Sequence, residues 1–166
     1  ARRDLVLVNA AAALWIAGTG DQRGRLEAMA VSLGISPRVR FLGFLEHADL
    51  ARHYAACDVF VLPSVVETQG LVAMEAMRFA RPVIVTHAIV SARELVDDGV
   101  NGFIVAPDAP AQLAEKLAIL AADPALRERL GNAGLQRSLA GSPETVVGAL
   151  EEAYAVAVQG SAGGKR

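Results

Sequence analysis

Between residues 14 and 105 the chain repeats one pattern: a short, wholly apolar run, then a longer amphipathic stretch, then another apolar run. A strand that is apolar on both faces must be covered on both faces, and joining parallel strands takes a crossover of a dozen or more residues, usually a helix. The alternation therefore predicts an α/β chain with a Rossmann-like, doubly wound parallel sheet. Strands are expected over 14–17, 39–42, 59–62, 83–85 and 103–105. Helices are expected over 23–33, 47–56 and 70–79, with a short turn at 92–96. Three further helices, over 111–122, 126–133 and 144–158, make the C-terminal part wholly helical. Turn pairs at Asp98-Gly99 and Asn101-Gly102, and the cap-then-proline pairs Asp123-Pro124 and Ser142-Pro143, punctuate these boundaries. The opening DLVLVNAAAA reads as a helix that feeds the first strand.

A chain of 166 residues, 53% of them hydrophobic, is the size of one domain with an ample core. We expect that domain over 1–159 and a disordered Gly-rich tail over 160–166. A net charge of -2 argues against nucleic acid as a partner and favours a small ligand or a protein. The lone cysteine, Cys57, reads as a small core residue of a reducing compartment, which places the chain in the cytoplasm. No apolar run is long enough for a spanning helix, and the start lacks methionine, so the chain reads as a piece of something longer. His47, His53 and His87 are scattered, and no metal site is expected.

In an open parallel sheet ligands bind at the carboxyl edge of the strands, where helix N-termini point free amides at the crevice. Three loops fall there. Gly18-Thr19-Gly20 after the first strand is either a close approach to a ligand or a plain tight turn. After the second strand, Gly43-Phe44 offers a ring that is either a platform for a base or part of the core. The third loop leads into a helix expected to bury Leu71, Met74 and Met77, with Glu67 before its start and Glu75 inside it. The amides of Gln69, Gly70 and Leu71 lie between the two carboxylates. An acceptor, a cluster of bare N–H groups and a second acceptor complement a nucleoside diphosphate sugar: sugar hydroxyls, pyrophosphate, ribose hydroxyls. The same two acids would also stabilise a helix start with no ligand at all.

Residues 14–105 resemble the C-terminal, donor-binding domain of GT-B glycosyltransferases, specifically the retaining family 4. The ordered blocks are Gly18-Thr19-Gly20, RVRFLGF from Arg38, YAACDVFVLPSVVETQGLVAMEAMRFARPVIV from Tyr54, and ELVDDGVNGFIV from Glu94. The resemblance implies roles residue by residue. Glu67, the first acid of an E-x7-E motif, would be the catalytic residue near the reacting carbon. Glu75, the second, would grip the ribose. Gln69, Gly70 and Leu71 would meet the distal phosphate, with Gly20 near the same site, Gly18 and Thr68 would belong to the donor-binding segments, and Arg40, Gly43 and Phe44 would border the base. The resemblance further implies a UDP- or GDP-type sugar as substrate, no cofactor, and an acceptor-binding N-terminal domain as the missing partner. It leaves membrane association of the full-length enzyme open.

This chain departs from the family pattern in three places. Thr68-Gln69 stand where the pattern has an aromatic before the glycine, which puts sugar preference in question. RFARP replaces ACGTP, with Arg78 and Arg81 reading as surface charges. In the family pattern the Arg and Lys that neutralise the pyrophosphate lie in and just after a first strand, which the resemblance leads us to expect upstream of this sequence. The alternative reading is a non-catalytic module of the same fold that binds a nucleotide or a protein.

Overall fold

A computed structural model describes residues 12–140. The helices expected over 4–13, in part, and over 144–158 in full, and the tail at 160–166, fall outside these residues. The element order is β1 (Leu14–Ala17), α1 (Arg23–Ser32), a single 3-10 turn (Ser36–Arg38), β2 (Val39–Gly43), α2 (His47–Ala56), β3 (Phe60–Leu62), α3 (Leu71–Arg78), β4 (Val83–Thr86), α4 (Ala92–Leu95), β5 (Gly102–Val105), α5 (Pro110–Ala122) and α6 (Pro124–Ala140). All strand pairs are parallel: β1 with β2, and β3-β4-β5 as a second sheet. The expected parallel α/β architecture is the one observed.

The second sheet carries the core. In β4 every residue is buried, and alternate side chains serve opposite faces. Val83 and Val85 pack with Tyr54, Ala73, Ala76 and Met77, while Ile84 packs with Phe103, Val105, Leu120 and Leu130. Two separate clusters on the two faces of one strand are what doubly wound means at the level of side chains. The proline-led helices behave as the sequence predicts: Pro110 opens α5, and Asp123 Oδ1 accepts from the Leu126 amide at 2.9 Å to cap α6.

Three expectations need correction. The helix expected over 126–133 runs on to Ala140. Gly134, just past the expected end of that helix, is buried against Met77, and a Cβ on Gly131 would stand 2.0 Å from the Ala80 carbonyl oxygen. The glycines are there so that α6 can approach the end of α3 closely. Leu71, expected on the buried side of its helix, is 58% exposed, because the helical period puts Ala73, Ala76 and Met77 on the core face. Leu71 instead shares a face with Glu75, one turn on. Arg81 is more than a surface charge: its Nη2 donates to the Ala55 carbonyl at 2.6 Å, satisfying an open C=O in the last turn of α2.

Candidate functional site

The loop from β3 to α3 lies at the carboxyl edge of the second sheet, and it is pinned along its length to the end of β4 and the loop that follows. Thr86 Oγ1 donates to the Ser64 carbonyl, the Val90 amide donates to the Glu67 carbonyl at 3.1 Å, and Ser91 Oγ donates to the Gln69 carbonyl at 2.9 Å. Glu67 and Ile89 form a short parallel bridge. At the end of the loop Gly70 has φ 63°, the left-handed region that a side chain disfavours, and a Cβ there would lie 3.3 Å from Ile89 Cγ2. The glycine is thus required by the fold itself, whatever the loop binds. Gly70 is the N-cap of α3, and no side chain caps that helix. The Ala73 amide donates to the Gly70 carbonyl at 2.9 Å, and the amides of Gly70, Leu71 and Val72 ahead of it are left to solvent or a ligand.

The two carboxylates are held differently. Glu67 is half-buried, and its Oε1 accepts from the Thr68 amide at 2.9 Å, so the loop's own backbone orients it. Glu75, also half-buried, accepts at Oε2 from the Tyr54 hydroxyl at 3.0 Å. Tyr54 is 4% exposed and sits between Phe60, edge-on at 5.5 Å, and Phe79, tilted at 5.9 Å. Burial pushes the Tyr54 phenol well above its ordinary range, and the hydrogen bond to Glu75 and that residue's charge push it the same way. The tyrosine therefore stays a donor.

Gly18, Gly20, Gly43 and Phe44 gather at the carboxyl edge of the first sheet. The Gly18 amide donates to the Gly43 carbonyl at 2.8 Å, and β1 is irregular between Ile16 and Ala17, where the ladder gives way to this turn. A side chain added at Gly18 or Gly20 would meet nothing within 4 Å. Phe44 is 72% exposed, which favours the platform reading over the core one. Arg40 lies opposite Trp15 in the middle of β2, three residues short of Gly43, or about 10 Å along the strand. The edge of Trp15 touches His53 of α2 at 5.4 Å, a contact between the first sheet and the second sheet's helices.

The structure thus brings Glu67, Thr68, Gln69, Gly70, Leu71 and Glu75 together on one loop and the following turn, and the glycine turns and Phe44 together on the other sheet. Arg40 stands apart from both groups. Sequence reasoning missed Tyr54 as a partner of Glu75, although it heads the block that carries the family resemblance. It also missed Ser91 and Thr86, whose roles depend on two loops that are distant in sequence. Cys57, expected in the core, is half-buried and unpaired with any other sulfur, its thiol donating to the Tyr54 carbonyl at 3.4 Å. His87 is exposed. Among the described residues no cluster of His, Cys, Asp or Glu could hold a metal ion, and no helix is long and apolar enough to cross a membrane.

A parallel α/β unit with paired loops at its carboxyl edge is the architecture of one half of a GT-B enzyme, and comparison of the whole chain gives the family. Residues 4–137 match the model of the glycosyl transferases group 1 family, and the chain belongs to that family. It is 41% identical over 145 residues to a D-inositol 3-phosphate glycosyltransferase of Geodermatophilus obscurus, covering 86% of this chain and 31% of that relative. Among solved structures it resembles the sucrose-phosphate synthase of Thermosynechococcus elongatus, with TM-score 0.75 and 31% identity over 96% of this chain and 44% of that one. It also resembles Anabaena HepE in complex with UDP-glucose, with TM-score 0.77 and 28% identity over 93% of this chain and 44% of that one. The chain spans less than half the length of each of these proteins.

Proposed function

We propose that this chain is the donor-binding half of a retaining, metal-independent glycosyltransferase of family 4 that takes a UDP- or GDP-linked sugar. The observation that carries the reading is the arrangement of Glu67, the uncapped start of α3 and Glu75 in succession on one pinned loop and helix. HepE, similar over 93% of this chain, has been solved with UDP-glucose bound. In this reading the amides of Gln69, Gly70 and Leu71 donate to the distal phosphate, and the partial positive charge of the helix start stabilises the leaving diphosphate. Glu75 accepts from the ribose hydroxyls. Glu67 contacts the transferred sugar near the carbon whose bond to the diphosphate breaks, ahead of attack by the acceptor on the same face. Gly18 and Gly20 let the backbone approach the phosphates, and Arg40, Gly43 and Phe44 border the base.

The order of the strands supports a partner half. In a sheet of order 3-2-1-4-5-6, the β2-β1 pair occupies positions 3-2 and β3-β4-β5 occupies positions 4-5-6. The central strand would then lie outside the described residues, and the acceptor-binding domain elsewhere in a longer protein. Calorimetry with UDP, GDP and their glucose and mannose derivatives tests the reading. We expect one nucleotide series to bind without added metal, and Glu75→Ala to weaken it about tenfold. Unchanged affinity in Glu75→Ala, or no binding by either series, would overturn it.

A further inference from the structure

A carboxylate that reads ribose must be held in one place, since a long acidic side chain on a helix surface otherwise samples several rotamers and loses that freedom on binding. Glu75 projects from the second turn of α3 and is only half-buried, so its own helix does not fix it. What reaches it is Tyr54, from α2, 21 residues earlier in the chain. The tyrosine ring is almost wholly buried between Phe60 and Phe79, and a phenol held on both sides by rings has little room to turn. Its hydroxyl is a donor aimed at Oε2, and Oε1 takes no hydrogen bond among the described residues. One oxygen of the carboxylate is thus held, and the other is left for a ligand donor.

We propose that Tyr54 is a positioning residue for nucleotide recognition: by fixing Oε2 of Glu75 it presents Oε1 to the ribose hydroxyls, and so sets how strongly the site prefers ribose over a deoxygenated sugar. The inference rests on the reading that Glu75 takes the ribose. It assigns to α2, which lies outside the donor loops, a part in specificity. Losing the phenol oxygen alone keeps the ring packing, so Tyr54→Phe removes the restraint and leaves the core filled.

The test compares UDP or GDP, whichever binds, with its 2′,3′-dideoxy analogue, in the complete chain and in Tyr54→Phe. The expected result is that the unsubstituted protein prefers the ribonucleotide at least about tenfold, and that Tyr54→Phe lowers that preference about fivefold by weakening the ribonucleotide alone. Glu75→Gln should abolish the preference, and adding Tyr54→Phe to it should change nothing further, since the two residues act as one unit. A preference kept in full by Tyr54→Phe would overturn the inference while leaving the Glu75 reading intact. So would an equal loss for both nucleotides, or loss of cooperative unfolding in the variant, each of which would make the tyrosine a structural residue only. An unsubstituted protein that binds the two nucleotides equally would overturn the ribose role of Glu75, and the inference with it.

Discussion

The strands β1 and β4 are alike in sequence, LWIA and VIVT, yet their surroundings are opposite. All four residues of β4 are buried, whereas Leu14 is 52% and Trp15 40% exposed. β4 has a partner on each side and a cluster of side chains on each face, while β1 pairs with β2 alone among the described residues. The glycines at the two carboxyl edges differ in the same way. Gly18 and Gly20 stand in open space, but Gly70 is pressed against Ile89. The second sheet therefore carries both the stability and the preorganised loop, and the first sheet contributes surface that a further element can cover.

Four measurements would break or sharpen this contrast. The largest effect is expected in the core of the second sheet: Ile84→Ala should cost about 4 kcal/mol in chemical denaturation, against under about 1 kcal/mol for Leu14→Ala. Equal costs would show that β1 is as much a part of the core as β4. Gly131→Ala should follow at about 3 kcal/mol, because the new methyl meets backbone at Ala80, which cannot rotate away as a side chain can. A neutral result there would mean that α6 can slide on α3 without penalty.

At the two glycine edges, Gly70→Ala should lose about 1 to 2 kcal/mol through its positive φ and its contact with Ile89. Gly20→Ala should be close to neutral, and a thermal unfolding pair measures the difference. The smallest effect is electrostatic. Burial pushes the Cys57 thiol upward, Arg81 pulling it partly back and Asp58 adding to the rise. The folded state then keeps a proton that the unfolded chain releases near the ordinary cysteine value of about 8.5, so stability is full below that pH and declines above it. Cys57→Ala should flatten the decline between about pH 8.5 and 9.5, below the range where unfolded tyrosines begin to titrate. An unaltered slope in the variant would assign the decline to other groups.

Much of the fold was legible in the residues. Every described strand was anticipated to within one residue at each end, because a strand buried on both faces leaves an uninterrupted apolar run. Helix ends marked by proline were read nearly as well. The far end of α6 was misplaced: the helix expected to end at 133 runs on through Gly134, and only the nearness of Met77 shows why a glycine there continues the helix. At the candidate site the residues contiguous in sequence, Glu67 to Leu71 with Glu75, were found together because one loop and one helical turn hold them. Tyr54, Thr86 and Ser91 were not found, since each acts across about twenty residues of intervening chain.

Sequence by itself settled the α/β class, the family and the local order of acid, helix start and acid, because periodicity, turn chemistry and spacing along one segment are properties of neighbouring residues. Tertiary structure alone decided which apolar strand is buried, why Gly70 must be glycine, and that a buried phenol holds Glu75. Those outcomes depend on contacts between segments far apart in the chain, whose geometry is fixed only when the core closes around them.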